Sequence, residues 1–360
     1  MILTDEQKHV IKGIITDLGK KQIITLGGLA GCGKTTCIRY INEILFRQKR
    51  KFAVAAFTGK ATNVLRKKKI DAKTIHSTIY QPTINFQTGE TEWRLTDDID
   101  DIGGFIIDEA SMISKELHRD IISFNKPVIY VGDHGQLEPI GTNFNLMENP
   151  DYKLETIHRN AGEIARFAYH LREGNSPCTF ETDKKVQVVK HSAILDSHLS
   201  SVDQVICAFN KTRVQLNERV RNHKKIAITF IAKNEKVMCL RNNQKLGLFN
   251  GMQGKIKKVY KNYTFDFETE DLLYDRIKYS PDQFGREKYD IKYDDSGNPF
   301  DYAYAITAHK SQGDEFGSVL AIEERCNNWD HTKWCYTVAS RAKSSLIWVT
   351  RQTYMPTYLS

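Results

Sequence analysis

The chain has 360 residues, 40% hydrophobic and 27% charged, with seven cysteines and a formal net charge of +8. That length suggests two or three domains, and the composition is that of a soluble globular protein with ample core material. The odd cysteine count, with no CxxC pair, argues against a disulfide framework or zinc site and for a reducing cytosol. No signal-peptide pattern opens the chain, and no stretch approaches the roughly 18 uninterrupted apolar residues of a membrane span. The basic bias is compatible with a polyanionic partner without requiring one.

In chain order, QIITL (22–26) reads as a buried strand and CIRYINEILFRQ (37–48) as an amphipathic helix with Ile38, Ile41 and Leu45 on one face. INFQTGETEWRL (84–95) reads as an inserted β-hairpin turning at Thr88-Gly89. FAVAAFT (52–58), FIID (105–108) and VIYVGD (128–133) are further strands. The alternation of strands and helices predicts a parallel sheet covered by helices. The rhythm returns in QVICAFN (204–210), SVLAIEE (318–324) and SLIWVT (345–350), so two α/β units are expected. Between them, residues 226–300 carry short β-prone runs (IAITFI, KVMCL, KIKKVY, YTFDFE) with Asn250-Gly251 and Gly254 as turn signals, which predicts a small β insertion.

GGLAGCGKTT is the strongest motif. Gly28, Gly33, Lys34 and Thr35 fit G-x-x-x-x-G-K-[ST], with a strand before and a helix after. Small residues let backbone N–H groups turn around a β-phosphate at the positive end of a helix. Lys34 then bridges β- and γ-phosphate oxygens and Thr35 holds Mg²⁺. Asp108 ends an apolar strand, which suits a metal carboxylate, and Glu109 after it suits a general base for water. Gln136, in VGDHGQLEPI, either senses the γ-phosphate or belongs to a plain polar loop. Arg159 and Arg341 are candidates for stabilising the equatorial charge of a phosphoryl transition state, although a lone arginine is more often a surface residue.

Ten motifs in order extend this reading: LTDEQ, GGLAGCGKTT, FTGKATNVL, TIHS, FIIDEAS, VGDHGQLEPI, LETIHRN, VICAFNKTRVQLN, AITAHKSQGDEF and YTVASRAK. Together, from Leu3 to about Val349, they resemble the superfamily 1B helicases, most closely the Dda-like and RecD-like 5′-to-3′ branch. Two departures stand out: Ser340 where the family usually has Thr, and Thr62 where a second Ala is common. No nuclease motif and no long N-terminal domain is seen, so a compact, stand-alone motor is expected, of phage or mobile-element type.

The resemblance implies an α/β fold of two RecA-like P-loop NTPase domains. The first spans 1–152, with a β-hairpin pin at about 80–98. The second spans 153–225 and 301–360, with a small SH3-like β-barrel at 226–300. The resemblance implies ATP and Mg²⁺ as cofactors, with Gln7 reading adenine. Gly28, Ala30, Gly31, Cys32, Gly33, Lys34, Thr35, Thr36 and Gly313 then surround the nucleotide, and Arg159 and Arg341 act as arginine fingers. Thr58, Gly59, Lys60, His76, Asn210, Thr307, His309 and Lys310 are implied DNA contacts, with Phe86 and Trp93 at the fork or packing the hairpin. The stretch AITAHKSQG (305–313) would couple DNA to the nucleotide cleft. The implied activity is ATP-driven 5′-to-3′ movement on single-stranded DNA and unwinding of forked or tailed duplexes. The protein would work as a cytoplasmic monomer, in the host cytoplasm if phage-encoded, and would meet single-strand-binding and replication proteins. Two rival readings remain: a P-loop phosphotransferase, and an ATP-switched nucleic-acid clamp that does not unwind.

Overall fold

The computed structural model describes residues 3–84, 91–97, 99–137, 144–156, 162–226, 231–243, 246–270, 272–288, 297–327 and 329–350. The chain divides into two compact units. The first comprises Met1–Glu173 with Gln312–Asp314 and Thr332–Ser340; the second comprises Gly174–Ser311, Glu315–His331 and Arg341–Ser360.

The first unit begins with α1 (Asp5–Asp17), whose start is fixed by a reciprocal capping box. The Thr4 hydroxyl accepts from the Gln7 amide, and the Gln7 side chain accepts from the Thr4 amide. Then follow β1 (Ile23–Gly28), α2 (Lys34–Arg47), β2 (Phe52–Ala56), α3 (Gly59–Lys67), β3 (Ala72–Thr74) and α4 (Ile75–Ile79). After them come β4 (Tyr80–Ile84), β5 (Thr91–Leu95), β6 (Gly104–Asp108), α5 (Lys115–Ile122), β7 (Val128–Gly132), β8 (Tyr152–Leu154) and α6 (Gly162–Arg172). Six strands form one sheet in the order β3-β2-β6-β7-β1-β8, with every pairing parallel.

The strands are apolar throughout because helices cover both faces of the sheet. Alternate residues serve opposite cores. Ile106, Ile129 and Val131 join Ile14 of α1 and Ile38, Ile41 and Leu45 of α2. Phe105, Ile107, Val128 and Tyr130 join Ile75 and Ile79 of α4 and Leu117 and Ile121 of α5. This period of two inside a continuous apolar run fixes the sheet's register, because a one-residue slip would exchange the two cores.

The unit extends past the expected boundary at 152. Lys153 and Leu154 of β8 pair with Gly27 and Gly28, and α6 stays with the same unit, so a division at 153 would cut through the sheet's edge strand. The inserted hairpin is β4 paired antiparallel with β5, from Tyr80↔Leu95 to Ile84↔Thr91. Its base is tied down where the Tyr80 hydroxyl donates to Asp120 of α5. The Thr88-Gly89 turn lies outside the described residues.

The second unit contains β9 (Val186–Lys190), α7 (Asp196–Ser201), β10 (Gln204–Cys207) and α8 (Asn210–His223). They are followed by β11 (Lys236–Cys239), β12 (Gln253–Tyr260), β13 (Thr264–Glu268), β14 (Leu273–Lys278) and β15 (Phe300–Tyr302). β16 (Ala305–Thr307), β17 (Phe316–Ile322) and β18 (Ala342–Thr350) complete it, while α9 (His331–Ala339) packs almost wholly with the first unit. A parallel sheet runs β16-β10-β17-β18-β9. Its edge strand β9 was not expected, because VQVVK is short and partly polar.

The chain between β10 and β16 builds a second, antiparallel sheet, β14-β13-β12-β11-β15. It runs from Lys236 to Tyr302 rather than 226 to 300, and residues 227–230 of IAITFI lie outside the described residues. Its core is aromatic: Phe265 and Phe267 each meet the Phe300 ring edge-on, at 5.0 and 5.1 Å. A buried ion pair between Arg213 of α8 and Asp301 of β15 joins this sheet to the parallel one. Asp301 also accepts from the Gly285 and Tyr302 amides, and Arg213 donates to the Arg286 carbonyl. All seven cysteines are free of disulfides, and among the described residues no helix is long and apolar enough to cross a membrane.

Candidate nucleotide site and nucleic-acid interface

The loop between β1 and α2 has the shape its motif requires. Gly31 (φ 82°) and Gly33 (φ 91°) are both left-handed, a region that side chains rarely tolerate. Lys34 opens α2, so the Lys34 and Thr35 amides precede the first helical bonds, which run from Thr36 and Cys37 to the Gly33 carbonyl, and are placed to meet an anion. The Lys34 ammonium folds back onto its own loop, donating to the Gly28 and Leu29 carbonyls at 2.7 and 3.1 Å. Burial works against its charge, but Asp133, then Cys32, Glu109 and Asp108, hold its pKa above the ordinary value. Gln7 donates to the Cys32 carbonyl at 3.2 Å, which ties the start of α1 to the phosphate loop. Burial raises the pKa of the Cys32 thiol, which packs under the loop and donates to the Leu29 carbonyl.

Asp108 is the last residue of β6, and its Oδ1 accepts from the Glu109 amide at 3.0 Å. Burial pushes its carboxyl up and Lys34 opposes that shift. Glu109 sits at φ 56°, left-handed for a residue with a side chain. Such a conformation costs about 1–3 kcal/mol and persists where the surroundings impose it, most often at functional sites. Gln136 is buried; its Nε2 donates to Asp133 Oδ2 at 3.1 Å, and its Oε1 has no hydrogen-bond partner among the described residues. An ionised carboxylate only accepts, so Asp133 fixes which way the Gln136 amide points. These features fit a nucleoside triphosphate with Mg²⁺: a buried cation folded back onto its own loop, an orphaned buried acceptor, and hard oxygen donors on Thr35 and Asp108.

Asp133 itself was missed, although VGDHGQ ends a strand just as FIID does. It is 1% exposed and gathers four groups. Oδ1 accepts from the Gly135 amide; Oδ2 accepts from Gln136 Nε2 and the Tyr336 hydroxyl and lies 3.6 Å from the Lys34 ammonium. Tyr336 was missed too. It lies on α9, and its hydroxyl also accepts from the Ala30 amide of the phosphate loop. Thr337 and Gln312 hold the loop after β7 that carries Asp133 and Gln136: the Leu137 amide donates to the Thr337 hydroxyl at 2.9 Å, and the Gln312 side chain to the Leu137 carbonyl at 2.7 Å. The backbone of Gly313 (φ 75°) approaches Thr58, whose hydroxyl caps α3. Arg341 is buried, and its carbonyl accepts from the Phe316 amide. Arg159 lies outside the described residues.

Of the nucleic-acid candidates in the first unit, Thr58 and Gly59 form the start of α3, with open space where a Gly59 Cβ would be. His76 stacks on Tyr80 with centroids 5.6 Å apart and meets Phe57 edge-on, and burial lowers its pKa. Phe86 and the side chains of Lys60 and Trp93 lie outside the described residues. In the second unit, Asn210 opens α8 and accepts from Arg213, and Thr307 ends β16. His309 and Lys310 follow Thr307. The His309 ring meets Trp329 edge-on at 5.8 Å, and Lys310 donates to Asn250 at 2.7 Å. Burial lowers the pKa of both His309 and Lys310. Phe209, beside Asn210, packs on the other side of this group at 5.7 Å from Trp329. The aromatic trio Phe209, Trp329 and His309 unites three loops, so no local pattern could have found it.

Fold and site together define a P-loop nucleoside-triphosphate-binding protein with two parallel-sheet domains. Residues 2–193, more than half of the chain, match the AAA domain family, and residues 302–349 match the UvrD-like helicase C-terminal domain. The ATP-dependent RecD2 DNA helicase of Deinococcus radiodurans is 23% identical over 89% of this chain and 45% of its own length. The ATP-dependent DNA helicase dda of Enterobacteria phage T4 is 30% identical over 48% of this chain and 43% of its own. The chain spans less than half the length of these curated relatives. A crystal structure of Bacteroides Pif1 bound to ssDNA superposes with a TM-score of 0.61 at 19% identity, covering 99% of this chain and 95% of that one. The chain belongs to the superfamily 1B helicases.

Proposed function

We propose that the protein is an ATP-dependent DNA helicase that moves 5′-to-3′ on single-stranded DNA and opens duplexes at a fork. The observation that carries the reading is the site itself. A phosphate loop, a strand-end carboxylate, a strained Glu109 and an oriented Gln136 converge on one sheet edge, in a chain of helicase family.

ATP binds with its phosphates in the loop from Gly28 to Thr35, and Lys34 leaves its carbonyl partners for phosphate oxygens. Thr35 and Asp108 would hold Mg²⁺, which supplies charge neutralisation on the phosphates when bound. Glu109 takes the proton of the attacking water, Gln136 orients that water through Oε1, and Arg341 and Arg159 stabilise the transition-state charge. Gln7 reads adenine beside the loop it touches. DNA is held through Thr58, Lys60, His76, Asn210, Thr307, His309 and Lys310, mainly at phosphates, so binding is sequence-tolerant and weakens with salt. The hairpin of β4 and β5 acts as the pin that parts the strands.

The test is unwinding of duplexes with only a 5′ or only a 3′ tail, run beside ATPase assays with and without single-stranded DNA. Opening of the 5′-tailed duplex is expected, and preference for the 3′ tail rejects the direction. Binding without strand displacement points to a clamp, and phosphate transfer to a small acceptor without DNA stimulation points to a phosphotransferase. Lys34→Ala and Glu109→Gln should each abolish unwinding while single-strand binding persists; unwinding that survives either change removes the site assignment.

A further inference from the structure

The Tyr336 hydroxyl is the centre of a directional chain of buried hydrogen bonds. The Ala30 amide of the phosphate loop donates to the Tyr336 oxygen. That hydroxyl can then spend its one proton only outward, and it donates to Asp133 Oδ2 at 2.7 Å. The same oxygen receives Gln136 Nε2 and faces Lys34. Tyr336 and Asp133 are each 1% exposed, so water cannot readily replace either partner. The chain therefore joins the phosphate loop, the phosphate-binding lysine and the glutamine beside them through one side chain from α9. Thr337, the next residue, grips Leu137 of the loop that carries Asp133 and Gln136, so α9 is anchored at two successive positions.

We propose that Tyr336 is a positioning residue for nucleotide hydrolysis, acting through Asp133 to fix the orientation of the Gln136 amide and the turn of the phosphate loop at Ala30. The inference rests on the hydrolytic reading above. Without the hydroxyl, Asp133 loses a donor that fixes its rotamer, and the Gln136 amide keeps Asp133 as its partner but loses the fixed placement of that carboxylate. The half-buried Ala30 amide loses that acceptor. No group assigned to phosphate is removed, since the hydroxyl meets the phosphate loop only through the Ala30 amide and acts on Gln136 only through Asp133. The effect falls on the attack geometry and spares ground-state binding, which lowers kcat more than it raises KM.

The test is steady-state ATPase of Tyr336→Phe, which keeps the ring and removes only the hydroxyl. A fall in kcat of about ten- to a hundredfold is expected, with KM for ATP within about threefold and Tm nearly unchanged. A merely structural role would lower Tm and leave the kcat of the remaining folded enzyme intact. Two further variants make the outcome specific. Asp133→Asn, which keeps the size and turns one acceptor oxygen into a donor, should reproduce the loss. In a Gln136→Ala background Tyr336→Phe should cost less than about twofold more, because the pathway it serves is already gone. Wild-type kcat in Tyr336→Phe, or full multiplication of its effect with Gln136→Ala, overturns the proposal while leaving hydrolysis standing. A wild-type protein that hydrolyses no ATP overturns both.

Discussion

Gly28→Ala isolates the packing of the phosphate loop from its chemistry. A Cβ on Gly28 would lie 2.6 Å from Cys32 Sγ, 3.0 Å from Lys34 Cγ and 3.2 Å from Leu154 Cβ. Non-bonded heavy atoms settle at about 3.5–4.0 Å, so the sulfur must retreat by about 1 Å. It has little room: Cys32 is fully buried and its thiol is bonded to the Leu29 carbonyl. Overpacking of this kind costs about 1–3 kcal/mol. Cys32 and Lys34 both belong to the loop that wraps the phosphates, so the strain falls on the binding-competent shape. At about 1.4 kcal/mol per tenfold, affinity should drop roughly 5- to 150-fold. Titration with a fluorescent ATP analogue measures this directly, alongside a thermal melt. Gly28→Ala/Cys32→Ala, which removes the nearest clashing atom, should recover part of the loss. Wild-type affinity and Tm in Gly28→Ala refute the reasoning, as does a double variant with no recovery when Cys32→Ala alone binds normally.

Arg213→Met leaves Asp301 buried without its cation and should cost about 3–5 kcal/mol, read as a lower denaturation midpoint at unchanged slope. Burial lowers the pKa of His76, His118, His134 and His309 from an ordinary 6.5. Below that value the unfolded chain binds protons that the folded chain does not. Stability should therefore be full above about pH 6.5 and fall as pH drops through the lowered folded-state values, as Tm measured from pH 8 to 5 would show. A Tm that stays level to pH 5 contradicts it. Tyr80→Phe removes the bond from the base of the hairpin to Asp120. It should slow fork opening several-fold with little change in DNA-stimulated ATPase, and equal loss of both argues against the hairpin's part in strand separation.

The two parallel sheets were legible because their strands are continuous apolar runs with polar ends. FIID stops where Asp108 reaches the sheet edge, and GGLAGCGKTT holds its whole chemistry within ten residues. β9 and β14 were missed because these edge strands bury little, LYDRIK being mostly solvent-facing, and β15 because FDY is three residues long with an aspartate at its centre. The division at 152 failed for a similar reason: Tyr152–Leu154 is a three-residue strand whose membership is decided by its partner β1. Asp133 and Tyr336 lie about two hundred residues apart and meet only through folding, so their shared bond left no trace in spacing. Gln136 could be named as a sensor from sequence, but only the carboxylate beside it shows which atom of its amide is left to act.

The return of Thr332–Ser340 to the first unit has a bearing on synthesis. A nascent chain that has emerged as far as Glu173 already carries the phosphate loop, Asp108, Glu109 and Asp133. It still lacks the hydroxyl that joins Ala30 to Asp133 and the threonine that holds Leu137. A unit that emerges early is thus completed by a segment that emerges much later. Ribosome-bound intermediates would hold an unlocked phosphate loop until Thr332–Ser340 emerges, so the site gains its full set of fixed partners only after β9, β10, β16 and β17 of the second unit have been made.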